Sequence, residues 1–143
     1  MILVDANVVL HAYHPRSEKH EPCRVWVEEA FSGMTPVGLP WITIWAFLRI
    51  STNPRAFEHP LTIKESRDIV SAWLDAPVAR LIEPGEQYWG ILSKLLVEAQ
   101  VSGPLVTDAA LAALALEHGA SVCTTDRDFS RFPGVKSIDP SQA

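Results

Sequence analysis

Four aspartates are the residues best suited to chemistry. Asp5 stands directly behind the apolar run Ile2 to Val4, Asp126 and Asp128 follow a second apolar run, Ala120 to Thr124, and Asp108 lies near the start of an alanine- and leucine-rich segment. A single aspartate after a strand is commonly a turn former or a helix N-cap. Brought together, Asp5, Asp108 and Asp126 repel one another unless something positive sits among them. Hard oxygen donors without histidine or cysteine select Mg2+ or Mn2+ over zinc. Such an ion keeps several waters and takes substrate phosphate oxygens, which points to phosphoryl chemistry. At the start of a helix, the dipole is expected to lower the pKa of Asp108 and keep it ionised.

These acids are useful only if the elements carrying them converge. Ile2–Val4 has the uniformly apolar character of a strand covered on both faces. A short helix follows from Asn7 to Tyr13, ended by His14-Pro15. A second helix is predicted from Pro22 to Phe31, a strand at Val37 to Leu39, and a helix from Pro40 to about Ser51 with Ile44, Phe47, Leu48 and Ile50 inward. Thr62 to Glu65 has the form of a capping box, opening a helix that runs to Pro77. A strand at Ala79 to Ile82 precedes a helix from Glu86 to Val101, with Trp89, Leu92, Leu96 and Ala99 on its stripe. Leu105 to His118 is a helix stopped by Gly119; Ala120 to Thr124 and Val135 to Ile138 are strands. Alternation of strands and helices implies parallel pairing, hence a three-layer α/β/α sandwich with a central, mainly parallel sheet. Ligand sites in such sheets lie at the carboxyl ends of strands, where Asp5 and Asp126 fall.

The 143 residues, 48% apolar and 20% charged, suit a single domain over 1–143. The net charge of −5 opposes the usual basic footprint of a nucleic-acid binder, an objection that a divalent cation in the acid cluster partly removes. Cys23 and Cys123 have no paired-ligand spacing, which argues against zinc and against a disulfide framework and suits a reducing cytoplasm. The amino terminus lacks the basic start of a signal peptide. Residues 31–48 carry no charge, yet Gly33, Pro36, Gly38 and Pro40 break the stretch, so no membrane span is expected. His11 and His14 are candidates for acid–base or metal roles, with ordinary surface positions as the plainer reading. Trp26, Trp41, Trp45, Trp73 and Trp89 mostly fall on helical stripes and are expected in the core; for Trp41 and Trp45 a subunit or partner interface is the alternative.

Asp5-Ala6-Asn7, Asp108 to Ala113, Thr124-Thr125-Asp126-Arg127-Asp128-Phe129 and, between them, Leu48 to Phe57 resemble, in this order, the signature of PIN-domain nucleases, and in particular the VapC toxins of VapBC toxin–antitoxin pairs. The resemblance covers nearly the whole chain. It implies a metal-dependent ribonuclease with Asp5, Asp108 and Asp126 as ligands to Mg2+ or Mn2+, Asp128 as a further catalytic acid, and Asn7 and Thr124 as supporting polar groups. It also implies a 5′-phosphate product, a homodimer, and an antitoxin protein as inhibitor. Many PIN domains carry a glutamate where this chain has Ala46, so a catalytically weakened module that binds RNA or protein is the alternative. Arg49 and Arg127, each beside a motif, are the candidates for holding RNA phosphates. A phosphoryl-accepting receiver or phosphatase is disfavoured, since the first strand is followed by one acid rather than an acid pair.

Overall fold

Five short strands form one parallel sheet: β1 (Ile2–Val4), β2 (Val37–Pro40), β3 (Ala79–Ile82), β4 (Ser121–Cys123) and β5 (Ser137–Ile138), in the order β3-β2-β1-β4-β5. They are seen in a computed structural model that describes residues 1–142. Helices α1 (Ala6–Ala12) and α2 (His20–Ser32) connect β1 to β2. Helices α3 (Trp41–Ser51) and α4 (Ile63–Asp75) connect β2 to β3. Helices α5 (Tyr88–Glu98) and α6 (Leu105–His118) lead to β4, and a short 3-10 turn, Arg127–Arg131, precedes β5.

Strand residues alternate between two cores, as a sheet covered on both faces requires. Val4, Val37, Leu39 and Cys123 face α1 to α4, whereas Leu3, Val122 and Ile82 face α5 and α6. The result is the expected α/β/α sandwich. Four alanines of α6 (Ala109, Ala112, Ala113 and Ala115) are fully buried, so this helix lies flush against the sheet. Gly38 serves the same closeness: a Cβ there would collide with Leu3 Cδ2 on the neighbouring strand. Gly119 ends α6 at φ 63°, a conformation costly for any residue with a Cβ.

The predicted elements are present, with shifted ends. Helix α2 begins at His20, so Pro22 sits within its first turn, where its missing N–H goes unneeded. Pro40 closes β2 and α3 starts at Trp41. The capping box is formed: Thr62 Oγ1 accepts from the Glu65 N–H (3.1 Å) and Glu65 Oε1 from the Thr62 N–H (3.0 Å). Helix α5 stops at Glu98 because Gln100, just past its C-cap Ala99, turns to φ 52°.

The tryptophans require a larger correction. Only Trp73 is deeply buried; Trp26 is half-buried, while Trp41, Trp45 and Trp89 are 38%, 60% and 68% exposed. In α5 the inward face passes through Ile91, Leu92, Leu95 and Leu96, which rotates Trp89 into solvent. Among the described residues no helix is long and apolar enough to cross a membrane.

Candidate active site

Strand order reverses around β1, which has β2 on one side and β4 on the other. The crevice between the carboxyl ends of β1 and β4 is therefore the switch point at which open α/β sheets bind ligands. Asp5 and the segment Thr124 to Asp126 emerge there side by side, and the Asp5 N–H extends the ladder by donating to the Cys123 carbonyl (2.9 Å).

Asp5 is held from several directions. Its Oδ1 accepts from the Ala6 N–H (2.7 Å), making it the N-cap of α1. Its Oδ2 accepts from the Thr124 hydroxyl (2.8 Å) and the Asn7 amide (3.2 Å). The buried Thr124 hydroxyl in turn accepts from the Asp126 N–H (3.0 Å) and from Asn7 Nδ2 (3.2 Å), while Asn7 Oδ1 receives the Thr125 N–H (3.1 Å). Three residues from two distant segments thus lock the loop after β1 to the loop after β4. Burial pushes the Asp5 carboxyl above its ordinary range, and these hydrogen bonds only partly offset that.

The second group of acids is arranged differently. Asp126 caps the 3-10 turn by accepting the Asp128 N–H (2.8 Å), which folds Asp128 back beside it. Asp108 joins them from the first turn of α6, and one carboxylate oxygen from each of Asp108, Asp126 and Asp128 lies within 4.8 Å of the others. Asp5 stands close enough for its charge, with those of Asp126 and Asp128, to act on Asp108. Desolvation first, then these three negative charges, push the Asp108 carboxyl up to about 7. The expectation of a helix dipole holding it ionised is therefore corrected: a partial charge at a helix end is outweighed by burial and by three carboxylates in one cleft. The donor set consists of carboxylates, without sulfur or imidazole, and its crowding is relieved by positive charge; both features fit a hard divalent cation.

Beside the acids opens a cleft of about 430 Å³, lined by Thr124, Asp126, Arg127, Ser130, Ser137 and Asp139. Arg127 thus lies next to the cluster. Arg49, on α3, is exposed like Arg127, and neither side chain has a hydrogen bond or ion pair among the described residues. Arg131 approaches Asp128 at 3.8 Å. The two candidate histidines make structural contacts: His11 Nδ1 bonds Ser17 Oγ (2.6 Å) and the His14 ring stacks on Phe57.

Two polar residues escaped the sequence reading. Thr43, buried, donates its hydroxyl to the Val4 carbonyl (2.6 Å) and ties the start of α3 to the end of β1. A lone hydroxyl in an otherwise apolar run was its signal. Glu117 accepts the N–H groups of Gly85 (2.7 Å) and Gln87 (3.0 Å), fixing the turn before α5, and no local pattern announces it.

A parallel α/β/α sandwich with carboxylates gathered at the β1/β4 crevice is the arrangement of a PIN domain, and the PIN domain family model matches residues 2–135. Over 98% of its length the chain is 41% identical to ribonuclease VapC37 of Mycobacterium tuberculosis, covering 97% of that protein, and 38% identical to VapC31 of the same species, covering 99%. The chain belongs to the PIN-domain family and, within it, to the VapC ribonucleases. Its fold also matches that of a chain in the structure of VapBC2 from Rickettsia felis bound to a DNA fragment from their promoter, with a TM-score of 0.69, 14% identity, and 96% and 98% of the two chains covered.

Proposed function

We propose that the chain, acting as a single domain over residues 1–143, is a Mg2+- or Mn2+-dependent ribonuclease and the toxin of a toxin–antitoxin pair. The observation that carries this reading is the approach of Asp108, Asp126 and Asp128 to within 4.8 Å, with Asp5 fixed alongside. Asp5, Asp108 and Asp126 would hold the cation, which when bound would supply polarisation of the scissile phosphate and activation of water. Asp128, the most solvent-exposed of the four, takes the proton of the attacking water. Asn7 and Thr124 keep Asp5 oriented, and Arg127, with Arg49 farther along, binds phosphate oxygens. The water oxygen adds to phosphorus, the bond to the 3′ oxygen breaks, and that oxygen takes a proton from solvent while Asp128 releases its own to solvent, giving 5′-phosphate and 3′-hydroxyl ends.

The names of the relatives, ribonucleases VapC37 and VapC31, support the RNA substrate, and the Rickettsia felis VapBC2 complex supports an antitoxin protein as partner. A homodimer and a cytoplasmic site of action complete the proposal. Hydrolysis of RNA by the purified chain, with product ends analysed, tests it directly. The expected result is cleavage that requires Mg2+ or Mn2+, stops in EDTA and leaves 5′-phosphates. A cyclic phosphate product, or cleavage indifferent to EDTA, overturns it.

Ala46 favours a second reading, a weakened module that binds without cutting. It lies on α3 one turn beyond Thr43, whose hydroxyl reaches the end of β1, so a longer acidic side chain at 46 stands near the carboxylates. Inactivity of the natural chain together with activity of Ala46→Glu selects this alternative.

A further inference from the structure

Three neighbouring strands, not two, deliver polar residues to the active edge of the sheet. Val4, Cys123 and Ile138 pair in register across β1, β4 and β5, so the next residues, Asp5, Thr124 and Asp139, stand abreast at about 4.8 Å from strand to strand. The Thr124 N–H donates to the Ile138 carbonyl (2.9 Å), which carries the pairing up to that edge. Asp139 is held by a turn. Its Oδ1 accepts from the N–H (2.8 Å) and the hydroxyl (2.6 Å) of Ser141, and its carbonyl accepts from the Gln142 N–H (3.2 Å). The carboxylate is thereby oriented, and its Oδ2 has no hydrogen-bond partner among the described residues.

The cleft of about 430 Å³ lies between these strand ends and the 3-10 turn, with Asp139 and Ser137 on one side and Arg127 and Ser130 on the other. Asp126 belongs both to this cleft and to the carboxylate cluster, so a phosphate drawn to the cluster brings its own sugar to the cleft. A negative side chain there repels phosphate and can only accept from a donor. Within an RNA strand the sugar–phosphate backbone has one donor, the 2′-hydroxyl, and a DNA backbone has none. The chemistry itself does not choose between them. Attack by water leaves the 2′-oxygen unused, so the cluster treats RNA and DNA phosphodiesters alike, and a choice of RNA has to come from a contact to the sugar. A nucleobase is the poorer occupant of this place, being one sugar farther from the phosphate.

We propose that the free oxygen of Asp139 accepts the 2′-hydroxyl of a ribose bonded to the scissile phosphate, with the Ser137 hydroxyl beside it, and that this contact makes the site select RNA over DNA. The proposal rests on the ribonuclease reading above and assigns its sugar selectivity to one residue outside the carboxylate cluster.

For the test, a cut made by the full natural chain with Mg2+ is located in total bacterial RNA. Probes carrying that sequence are then made all-ribose, or with the sugar on either side of the cut changed to 2′-deoxy or 2′-fluoro. The natural chain is expected to cut one of the deoxy probes about tenfold more slowly than the ribose probe, the usual worth of a hydrogen bond to a charged acceptor. The matching 2′-fluoro probe is expected to be cut as slowly, since fluorine cannot donate. Asp139→Ala is expected to cut the ribose probe about tenfold more slowly and to be indifferent to both sugar changes. Asp139→Asn retains an acceptor for Ser141 and carries the test if Asp139→Ala fails to fold; its discrimination is expected to be intermediate. Mn2+ affinity is expected to be unchanged in both variants. Sugar discrimination as strong in the variants as in the natural chain overturns the proposal. So does a loss of Mn2+ affinity that matches the loss of cleavage, which makes Asp139 a cation ligand, or discrimination that follows the base beside the cut rather than the sugar. If the natural chain cuts the ribose and deoxy probes alike, the proposal fails and the nuclease reading stands. If it cuts no RNA, both fail.

Discussion

Asp5 and Asp108 are both carboxylates in one crevice, yet their surroundings differ in kind. Asp5 accepts hydrogen bonds from Ala6, Asn7 and Thr124 and is held as part of the scaffold. Asp108 has Asp126, Asp128 and Asp5 as its charged neighbours, and its carboxyl is driven to about 7. Hydrogen bonds offset part of the burial penalty at Asp5; at Asp108 none does, and it stays in electrostatic deficit until a proton or a cation arrives. The difference is one of degree of support: the Asp5–Asn7–Thr124 network fixes one proposed ligand in place, while Asp108 lacks such bonds and carries the larger share of the cluster's repulsion.

Substitutions on the two sides are expected to break this contrast in opposite ways. The largest effect is on turnover: Asp108→Asn removes a proposed cation ligand and is expected to slow RNA cleavage on the order of a thousandfold, with the folded structure intact by circular dichroism. Next is Thr124→Val, which strips the hydroxyl that donates to Asp5 and accepts from Asp126. Leaving buried polar groups unpaired is expected to cost about 1–3 kcal/mol in urea unfolding, with turnover falling as a consequence of a misplaced Asp5. A thousandfold slower Thr124→Val at unchanged stability contradicts the division of roles.

Smaller effects follow from protonation. In the metal-free protein the Asp108 carboxyl titrates at about 7 rather than at its ordinary 3.8, so the folded state binds this proton more tightly than the unfolded chain does. The corresponding stability is present below pH 4 and is lost as pH rises through 7. Asp108→Asn removes this contribution: in EDTA its Tm is expected to exceed that of the natural chain by several degrees at pH 8 and to match it near pH 4. The smallest expected change is from Ala46→Glu, a gain of several-fold in Mn2+ affinity as one more oxygen ligand is offered near the end of β1.

The contrast also explains what was legible in the sequence. Uniformly apolar runs such as Ile2–Val4, ended by an acid, mark buried parallel strands, and the strand-end rule then gathers Asp5 and Asp126 without knowledge of the packing. Patterns that depend on local chemistry, such as the Thr62–Glu65 box and the Gly119 stop, appear where expected. Features decided by the sum of distant neighbours did not appear. The phase of α5 is set by how it docks on α6, and a rotation of one residue puts Trp89 outside and Leu95 inside. The Asp108 titration reflects burial first and then three carboxylates from two other segments, whereas its own helix argued for the opposite sign. The closeness of Asp128 to Asp108 and Asp126 comes from the 3-10 turn after β4, whose tight winding an Asp-Arg-Asp sequence does not reveal.

Calorimetric titration of Mn2+ into the metal-free full chain bears most directly on the central claim that these carboxylates form one cation site. Saturable binding is expected at pH 8, weaker at pH 6 where a proton competes for Asp108, and reduced on the order of a hundredfold in Asp108→Asn. Absence of uptake by the natural chain at pH 8, or equal affinity in Asp108→Asn, contradicts it.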